Sequence, residues 1–484
     1  MQPSLAQRVR SALAWRWGTQ VFAQAITWAS TIMVVRLLAP SDYGLYAMSQ
    51  VVVTAFAFLN GQSFATSLIQ ADRVDERRIG QVFGLLLLLN GFLAIAQIFV
   101  APFAAQYYRE PLIADMLRIQ ALIFLTIPFA ALPQELLARR IEFRKQGMVN
   151  VLTALIGAAT ALVLASRGFG VWALVYAPVA MFATRAIGLT VAARVLVRPV
   201  FDFRGAGDLA AFGGALTLCQ FLWIVQSQSD IVIAGRSFST HELGLYSEAL
   251  FLTLIITARF LPPINDVAFP AYAELHKAGR PVGPLFLKIQ RMVALVVGPA
   301  YVGLSLVAAP AVLTMFGAKW AAMAPIVGGL ALAMPAFALQ IVCSPSTNGT
   351  GHVKTYMLTN GAGAVLFPLL FLAGVAAGPR GLVAAWWLGA PALLAFTYAL
   401  TLPRIGVSWR ELAAAIAPAA AATAVMAATV TVARAALPAS PAPIELAVLT
   451  TVGAASYGAA LMVLARESLA EILAFVTRRE VGAT

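Results

Sequence analysis

The most regularly spaced polar side chains in this chain lie in its first apolar segment. Arg16, Gln20, Gln24, Thr27 and Thr31 follow one another at intervals of four, four, three and four residues, which places them on one face of an α-helix. A guanidinium can donate paired hydrogen bonds to a phosphate, and an amide can both donate to and accept from hydroxyl groups. Because such a face is costly against lipid, we expect it to contact other helices or water.

The seventh apolar segment carries a second polar face. Thr217, Gln220, Gln226, Ser227 and Asp230 fall within roughly half of the circumference of a helix with about 3.6 residues per turn. We expect Asp230 either to pair with an arginine or to bind a cation. The two faces together predict a hydrated cavity between two groups of helices. The alternative is that they form interhelical hydrogen bonds, worth about 1 kcal/mol or less each.

Other polar residues interrupt further apolar segments. Asn60 shares a face with Ser63 and Ser67 in the second segment. Arg259 precedes Pro262-Pro263 in the eighth, and these prolines are expected to break or bend that helix because neither can donate a backbone hydrogen bond. Arg259 should lie about 24 Å along a span of about 30 Å, within reach of either the membrane surface or a cavity. The remaining residues of this kind are Asn90 in the third segment and Arg185 in the sixth.

The composition places these residues in a membrane protein. The 484 residues are 61% apolar and 11% charged, with a mean hydropathy of +0.85, whereas charged residues make up about a quarter of soluble domains. We predict an all-α polytopic membrane protein of about fourteen transmembrane helices, since each crossing needs about 20 apolar residues. The predicted segments are 17–36, 44–69, 80–106, 117–138, 147–166, 170–193, 209–235, 243–264, 285–309, 320–343, 353–377, 380–402, 411–436 and 444–465.

The net charge of +13 is explained by basic residues that gather in loops on one side of the membrane. Lys and Arg accumulate in cytoplasmic loops, and a cytoplasmic N-terminus places Arg139, Arg140, Arg144 and Lys145 there. We therefore expect an inner-membrane protein with both termini in the cytoplasm and no nucleic-acid partner. The opposite loops hold fewer basic residues, namely Arg36, Arg109, Arg118, Arg167, Arg236, Lys319, Arg380 and Arg434.

The sequence contains no signature of a nucleotide or metal site. It has no Walker A motif, no Rossmann glycine pattern and no zinc motif. Cys219 and Cys343 have no neighbouring ligand residues, and His241, His276 and His352 are dispersed in predicted loops. We expect no catalytic residues, no metal site and no cofactor, so that any coupling to an energy source would use H⁺ or Na⁺.

A short polar loop occurs twice, 200 residues apart. RLLAPSDYGLYAM at 36–48 and RSFSTHELGLYSE at 236–248 share an arginine, an acidic residue and Gly-Leu-Tyr at the same offsets. Six predicted helices separate the copies, so both loops lie on the same side and the two halves are parallel repeats. We predict one six-helix bundle over 1–200, a second over 201–405, and a C-terminal helix pair with a cytoplasmic tail over 406–484.

The repeated loop has a local structural explanation. Ser239 and Glu242 have the spacing of a capping box, in which each side chain satisfies a backbone N–H at a helix start. Tyr46 and Tyr246 are expected in the interfacial belt, with one end of each ring in contact with water. The loop is therefore predicted to be structural and not a binding site.

Four stretches resemble a known family. RLLAPSDYGLYAM resembles the first loop of the bacterial polysaccharide transporters, the oligosaccharide flippase branch of the multidrug/oligosaccharidyl-lipid/polysaccharide exporter superfamily. LPQELLARRIEFRK (132–145), DIVIAGRSFSTHELGLYS (230–247) and VAFPAYAEL (267–275) resemble three later segments of that family. Asp266 departs from the family pattern, in which a basic residue is usual at this position.

The resemblance implies a non-enzymatic flippase that moves undecaprenyl-pyrophosphate-linked oligosaccharide repeat units to the periplasmic leaflet by alternating access, for exopolysaccharide or O-antigen assembly. Its expected partners are the lipid-linked oligosaccharide, membrane lipids, and polysaccharide polymerase or export proteins. By the same resemblance, Arg16 and Arg259 bind the head-group phosphates. With the polar faces included, the expected cargo-binding residues are Arg16, Gln20, Gln24, Asn60, Gln220, Asp230 and Arg259.

Two other functions are considered. A cation-coupled drug or metabolite antiporter of the same superfamily usually has twelve helices, so the additional pair over 411–465 favours a lipid-linked cargo whose tail needs a groove. The pair is also Ala-rich, and a simple packing role remains open. A membrane polysaccharide polymerase or ligase would be expected to carry a sizeable periplasmic loop, and every predicted loop on that side is short.

Overall fold

A computed structural model of the chain describes residues 5–61, 76–140, 142–194, 197–202 and 207–464. These residues are almost entirely α-helical, and none of them forms a β-strand. Within the helices, the side chains of residues 5–14, Arg16, Arg78 and 207–221 lie outside the described set, and so does the side chain of Gln220.

The first part of the described chain is helical. Its helices are α1 (Leu5–Leu37), α2 (Pro40–Ala57), α3 (Glu76–Tyr108), α4 (Leu112–Gln120), α5 (Leu122–Arg139), α6 (Phe143–Ser166) and α7 (Trp172–Ala193). Residues 62–75, between α2 and α3, lie outside the described set.

The second part continues the pattern, with two 3₁₀ turns at Ala318–Met323 and Val375–Ala377. Its helices are α8 (Gly207–Ser237), α9 (Thr240–Lys277), α10 (Gly283–Leu306), α11 (Ala308–Met315), α12 (Ala324–Ile341), α13 (Ser344–Gly349), α14 (Val353–Gly374), α15 (Gly378–Ile405), α16 (Trp409–Ala436) and α17 (Ala442–Leu464).

Ten helical segments within the described ranges are long and apolar enough to cross a bilayer. One of them, Val353–Ile405, is 53 residues long and contains both α14 and α15, which pack along each other. The structure therefore confirms an all-α chain with many potential membrane crossings. The count of fourteen helices stays a prediction.

The described residues form two compact units. Unit 1 contains α1 to α7, the beginning of α8 up to Ile224, and the segment Ala234–Gly244. Unit 2 contains Val225–Ile233 and the chain from Leu245 onward. The expected division into 1–200, 201–405 and 406–484 stays a prediction.

Each unit has its own apolar core. In unit 1, Leu86 and Leu93 of α3 pack with Phe124 and Leu132 of α5. In unit 2, Ala294 of α10 packs with small residues of α16, including Ala419 and Ala422. Small residues let two helix backbones approach closely, which is the usual basis of helix packing in lipid.

Two predicted helix boundaries differ from the structure. The segment predicted over 44–69 is interrupted, because α2 ends at Ala57 and Gly61 adopts a φ of 71°. Asn60-Gly61 supplies the residue types that tolerate such a left-handed turn. Conversely, α9 runs unbroken for 38 residues through Pro262-Pro263. Its length of about 57 Å exceeds the hydrocarbon thickness of about 30 Å.

The repeated loops confirm one local prediction and correct another. The Ser239 Oγ accepts from the Glu242 backbone N–H at 3.2 Å, and the Glu242 carboxylate accepts from the Ser239 backbone N–H at 3.1 Å, as a capping box requires. At the first copy, the Asp42 carboxylate accepts from the Ala39 N–H at 2.9 Å. The expected contact of the Tyr246 ring with water is wrong, because this residue is fully buried at 0% exposure.

Candidate functional site

Unit 1 contains a small polar cavity, which we name the Arg185 pocket. Its volume is about 200 Å³, and it lies among α1, α5, α6 and α7. Most of its lining side chains carry amide, hydroxyl or guanidinium groups. They are Thr19, Gln20, Gln134, Phe143, Gln146, Gly147, Asn150, Arg185 and Leu189.

Close helix contacts position the pocket. Gly147 of α6 faces Thr19 of α1, and a Cβ at position 147 would collide with the Thr19 side chain. On the other side of α6, Val149 packs against Gly188 of α7, where an added Cβ would lie 2.8 Å from a Val149 methyl group. The absence of side chains at both glycines allows α1 and α7 to approach α6 and to bring their polar residues to one cavity.

Hydrogen bonds fix the polar side chains within the pocket. An Nη2–H of Arg185 donates to the Gln134 side-chain oxygen at 2.6 Å. The Gln146 amide donates to the Gln134 backbone carbonyl at 2.7 Å. The chain of contacts joins α5, α6 and α7 and holds the Arg185 guanidinium at the cavity wall.

The charge of Arg185 is not neutralised by the described protein groups. Its Nε is buried and has no hydrogen-bond partner among them, and Arg185 forms no ion pair. The pocket lining contains no carboxylate. A partly buried cation with an unused N–H is costly without an anionic or polar partner. The arrangement is therefore suited to binding a phosphate, a carboxylate or a sugar hydroxyl.

The structure brings only one of the described predicted residues into this pocket. Gln20 is part of its lining, whereas Gln24 lies one turn further along α1 and is half-buried outside it. Asn60 lies in the turn after α2, where its backbone carbonyl accepts from the Asn90 amide at 2.9 Å. Arg259 is exposed and forms no hydrogen bond or ion pair with a described residue. The side chains of Arg16 and Gln220 lie outside the described set.

Asp230 belongs to a separate buried network in unit 2. The Tyr246 hydroxyl donates to the Asp230 Oδ2 at 2.9 Å, and the Trp386 indole N–H donates to the Tyr246 oxygen at 3.0 Å. The Asp230 Oδ1 also accepts from the Ile231 N–H at 2.8 Å. The expected pairing of Asp230 with an arginine is absent among the described residues, and its partner is a tyrosine of the repeated loop.

The pocket also contains polar residues that the sequence did not single out as a site. Arg185 was visible as an ionisable residue in an apolar segment, which by itself marks a functional candidate. Gln134, Gln146 and Asn150 lie near helix ends among several other polar residues. No spacing pattern links them to Arg185, since these four residues come from three different helices.

Unit 2 carries an apolar groove between α10, α12 and α16, which we name the Ala-rich groove. Its volume is about 350 Å³. Its walls include Gly298 of α10, Leu339 of α12 and the small residues Ala420 and Ala424 of α16. Because α16 presents mainly alanine here, an apolar groove remains beside the helix.

Comparisons of the sequence with known proteins identify relatives. Residues 33–325, more than half of the chain, match the family described as "Polysaccharide biosynthesis protein". The chain is 26% identical over 414 residues to the succinoglycan biosynthesis transport protein ExoT of Rhizobium meliloti, covering 84% of this chain and 81% of that protein. It is 25% identical to the teichuronic acid biosynthesis protein TuaB of Bacillus subtilis, covering 56% of each chain. It is 22% identical to the lipopolysaccharide biosynthesis protein WzxC of Escherichia coli, covering 67% of this chain and 66% of that protein.

Solved structures share the fold. The lipid II flippase MurJ in an inward closed conformation superposes with a TM-score of 0.73 at 11% identity, covering 94% of this chain and 99% of that one. An inward-facing multidrug resistance MATE family transporter gives a TM-score of 0.61 at 14% identity, covering 79% and 94%. These likenesses show the fold, and the family match and the relatives confirm the resemblance to polysaccharide transporters. Since its family model extends over more than half of its length, this chain belongs to the polysaccharide biosynthesis protein family.

Proposed function

We propose that this protein is a flippase that moves undecaprenyl-pyrophosphate-linked oligosaccharide repeat units across the bacterial inner membrane, by alternating access, for exopolysaccharide or lipopolysaccharide assembly. The observation that carries the proposal is the Arg185 pocket, a polar cavity with an uncompensated cation inside a very apolar chain of this family. A pyrophosphate is the anionic part of such a cargo, and its sugars are rich in hydroxyl groups.

The chemistry of the pocket suits the polar head of this cargo. A phosphate oxygen in the cavity can accept from the Arg185 guanidinium, which lines it, and charge-assisted hydrogen bonds of this kind are about twice as strong as neutral ones. The Gln20 and Asn150 amides can each donate to and accept from sugar hydroxyls. A cavity of about 200 Å³ accommodates a small part of the head group at a time.

The Ala-rich groove suits the other end of the cargo. A polyprenyl tail needs an apolar surface continuous with lipid, and the groove walls are almost entirely hydrocarbon. In this proposal the C-terminal helix α16 serves as a wall for the tail, in agreement with the expectation from the additional helix pair. Fourteen spanning helices in two six-helix bundles, with both termini in the cytoplasm, complete the proposed architecture.

The coupling ion is part of the proposal as well. Asp230 is a buried carboxylate of unit 2, and its hydrogen bonds to Tyr246 and Ile231 would change if it bound H⁺ or Na⁺. Such a change would alter the start of α9, where Tyr246 lies. This gives a physical route from ion binding to helix movement.

A transport assay with defined cargo tests the proposal. Purified protein is placed in vesicles that contain a fluorescent undecaprenyl-pyrophosphate-linked oligosaccharide, and the fraction accessible to an external quencher is followed over time. We expect the wild type to increase this fraction, and Arg185→Gln to slow the increase by about tenfold or more, given about 1.5–3 kcal/mol for a hydrogen bond to a charged group. Arg185→Lys should retain part of the rate because it retains the charge.

A variant outside the pocket serves as the control for Arg185→Gln. Arg167→Gln removes an exposed arginine outside the pocket and should leave the rate unchanged. Efflux of a small cationic dye, with no movement of the lipid-linked oligosaccharide under either an H⁺ or a Na⁺ gradient, would show instead a drug or metabolite antiporter.

A further inference from the structure

A second apolar groove lies on unit 1, between α5 and α7, and we name it the α5–α7 groove. Its volume is about 410 Å³. Leu125 of α5 and Ile187 and Val191 of α7 line it and are 47%, 67% and 70% exposed. Side chains of this kind are exposed to lipid in a membrane-spanning unit, so the groove opens to the surrounding bilayer.

The groove offers no free polar group along its length. The Thr126 hydroxyl donates to the Ile123 carbonyl at 2.6 Å. The Thr190 hydroxyl donates to the Phe129 carbonyl at 2.9 Å, which is free to accept because Pro133 has no N–H to supply the usual helical bond. Both threonines thus present only methyl groups to the groove. A hydrocarbon chain is the ligand that such walls accept.

Two arginines follow the C-terminal ends of α5 and α7, beyond the groove. Arg194 directly follows α7 and is exposed, one turn beyond the groove residue Val191. Arg140 follows α5, is also exposed, and donates to the Ala193 carbonyl at 3.2 Å. The two cations are therefore neighbours at the end of the same helix pair.

Neither arginine has an acidic partner among the described residues. The described carboxylates nearest in sequence are Glu135 and Glu142 for Arg140, and Asp202 for Arg194. Among the described residues Glu135 forms no ion pair, whereas Glu142 pairs with Lys145 at 2.7 Å and Asp202 pairs with Arg77 at 2.8 Å. Arg194 also adopts a left-handed backbone with φ of 51°, a conformation that is uncommon for residues other than glycine. Two adjacent unneutralised cations favour an anion between them.

We propose that the α5–α7 groove binds one anionic phospholipid of the adjacent leaflet. One acyl chain lies in the groove, and the head-group phosphate accepts hydrogen bonds from Arg140 and Arg194. From Ala183 to Val191 the groove follows α7 for about 12 Å, which is most of the half-thickness of about 15 Å of a bilayer core. The site is separate from the Arg185 pocket, and the inference does not depend on the proposed function.

Native mass spectrometry of the full-length protein tests the site. The protein is released from micelles containing equal amounts of phosphatidylglycerol and phosphatidylcholine of the same chain length, and the lipid that stays bound is identified. We expect one phosphatidylglycerol to be retained preferentially. The double variant Arg140→Gln/Arg194→Gln should lower this retention about tenfold or more, because both charged donors are lost.

Two further variants separate the head-group and chain contacts. Ala183→Phe fills the groove without changing any charge, and it should also lower phosphatidylglycerol retention. Arg109→Gln/Arg167→Gln removes two exposed arginines elsewhere in unit 1 and should leave retention unchanged. Arg109 matches Arg194 in having a left-handed backbone, with a φ of 60°. Each variant is first shown to be monodisperse in detergent.

Equal retention of the two lipids by the wild type would overturn the proposal. So would unchanged phosphatidylglycerol retention in Arg140→Gln/Arg194→Gln. If Ala183→Phe binds phosphatidylglycerol as the wild type does, the groove is not the site of the acyl chain and the proposal is wrong.

Discussion

Gly44 and Gly244 are packed reciprocally against the two repeated loops. A Cβ at Gly44 would overlap the carbonyl oxygen of Thr240, and a Cβ at Gly244 would overlap that of Pro40. Each glycine therefore lies against the first residue of the helix that contains the other. Close approach of two backbones explains why Gly recurs at the same offset in both copies.

Substitution of either glycine should lower stability. Gly44→Ala and Gly244→Ala each place a methyl group where backbone atoms already lie, and overpacking of this kind costs about 1–3 kcal/mol. The measurement is the apparent melting temperature of the purified protein in detergent. Gly91→Ala in α3 is the control, because no atom lies within 4 Å of a Cβ at that position and alanine favours a helix over glycine by about 1 kcal/mol. A melting temperature of Gly244→Ala equal to or above that of Gly91→Ala would contradict the packing explanation.

The Asp230 network should depend on the Tyr246 hydroxyl. Tyr246→Phe removes the donor to Asp230 and the acceptor of the Trp386 N–H in a buried site, and an unsatisfied buried polar group costs about 1–3 kcal/mol. Thermal unfolding in detergent measures the loss. Tyr176→Phe, at an exposed tyrosine without a hydrogen bond to described residues, should have no such effect. Similar melting curves for both variants would show that the network adds no stability.

Arg185 and Gln134 should behave as a coupled pair. Gln134→Leu leaves the partly buried guanidinium without its acceptor, whereas Gln134→Leu/Arg185→Leu removes both polar groups. Loss of one partner of a buried charged interaction is more costly than replacement of both by apolar groups. We therefore expect the double variant to unfold at a higher temperature than Gln134→Leu alone. Additive losses in a double-mutant cycle would show that the two residues do not interact energetically.

The Thr190 hydroxyl should be important only because of Pro133. Thr190→Val leaves the Phe129 carbonyl without a donor and should cost about 1 kcal/mol in a membrane protein. In a Pro133→Ala background the alanine N–H can bond the Phe129 carbonyl, so Thr190→Val should then have a smaller effect. Thr160→Val is the control, since the Thr160 hydroxyl bonds only the carbonyl of Ile156 in its own helix. Equal effects of Thr190→Val in both backgrounds would rule out this compensation.

The Ala-rich groove should be sensitive to filling. Ala420→Phe/Ala424→Phe places two rings in the groove and should slow movement of the long-chain lipid-linked oligosaccharide about tenfold or more, if the groove holds the tail. Ala421→Phe/Ala428→Phe, at exposed positions of the same helix outside the groove, controls for added bulk. The vesicle assay described for Arg185 provides the rate. Equal rates in both double variants would place the tail elsewhere.

The sequence by itself determined the properties that depend on local pattern. Its apolar runs predicted an all-α membrane protein, and the spacing of Ser239 and Glu242 predicted the capping box that the structure confirms. The motif resemblances predicted the family. Helix periodicity also placed Gln20 on a polar face of α1, and Gln20 does line the Arg185 pocket. Each of these features depends on residues a few positions apart, whose relation is fixed by helix geometry.

The tertiary structure decided which polar residues meet. Arg185 and Gln134 are 51 residues apart in the chain, and only the packing of α5 against α7 joins them. Tyr246 has the sequence pattern of an interfacial residue, yet it is buried and bonded to Asp230 because α9 packs it inward. Contacts between helices depend on where small residues such as Gly147 and Gly188 allow close approach. A single helical period carries no information about which helix will be the neighbour.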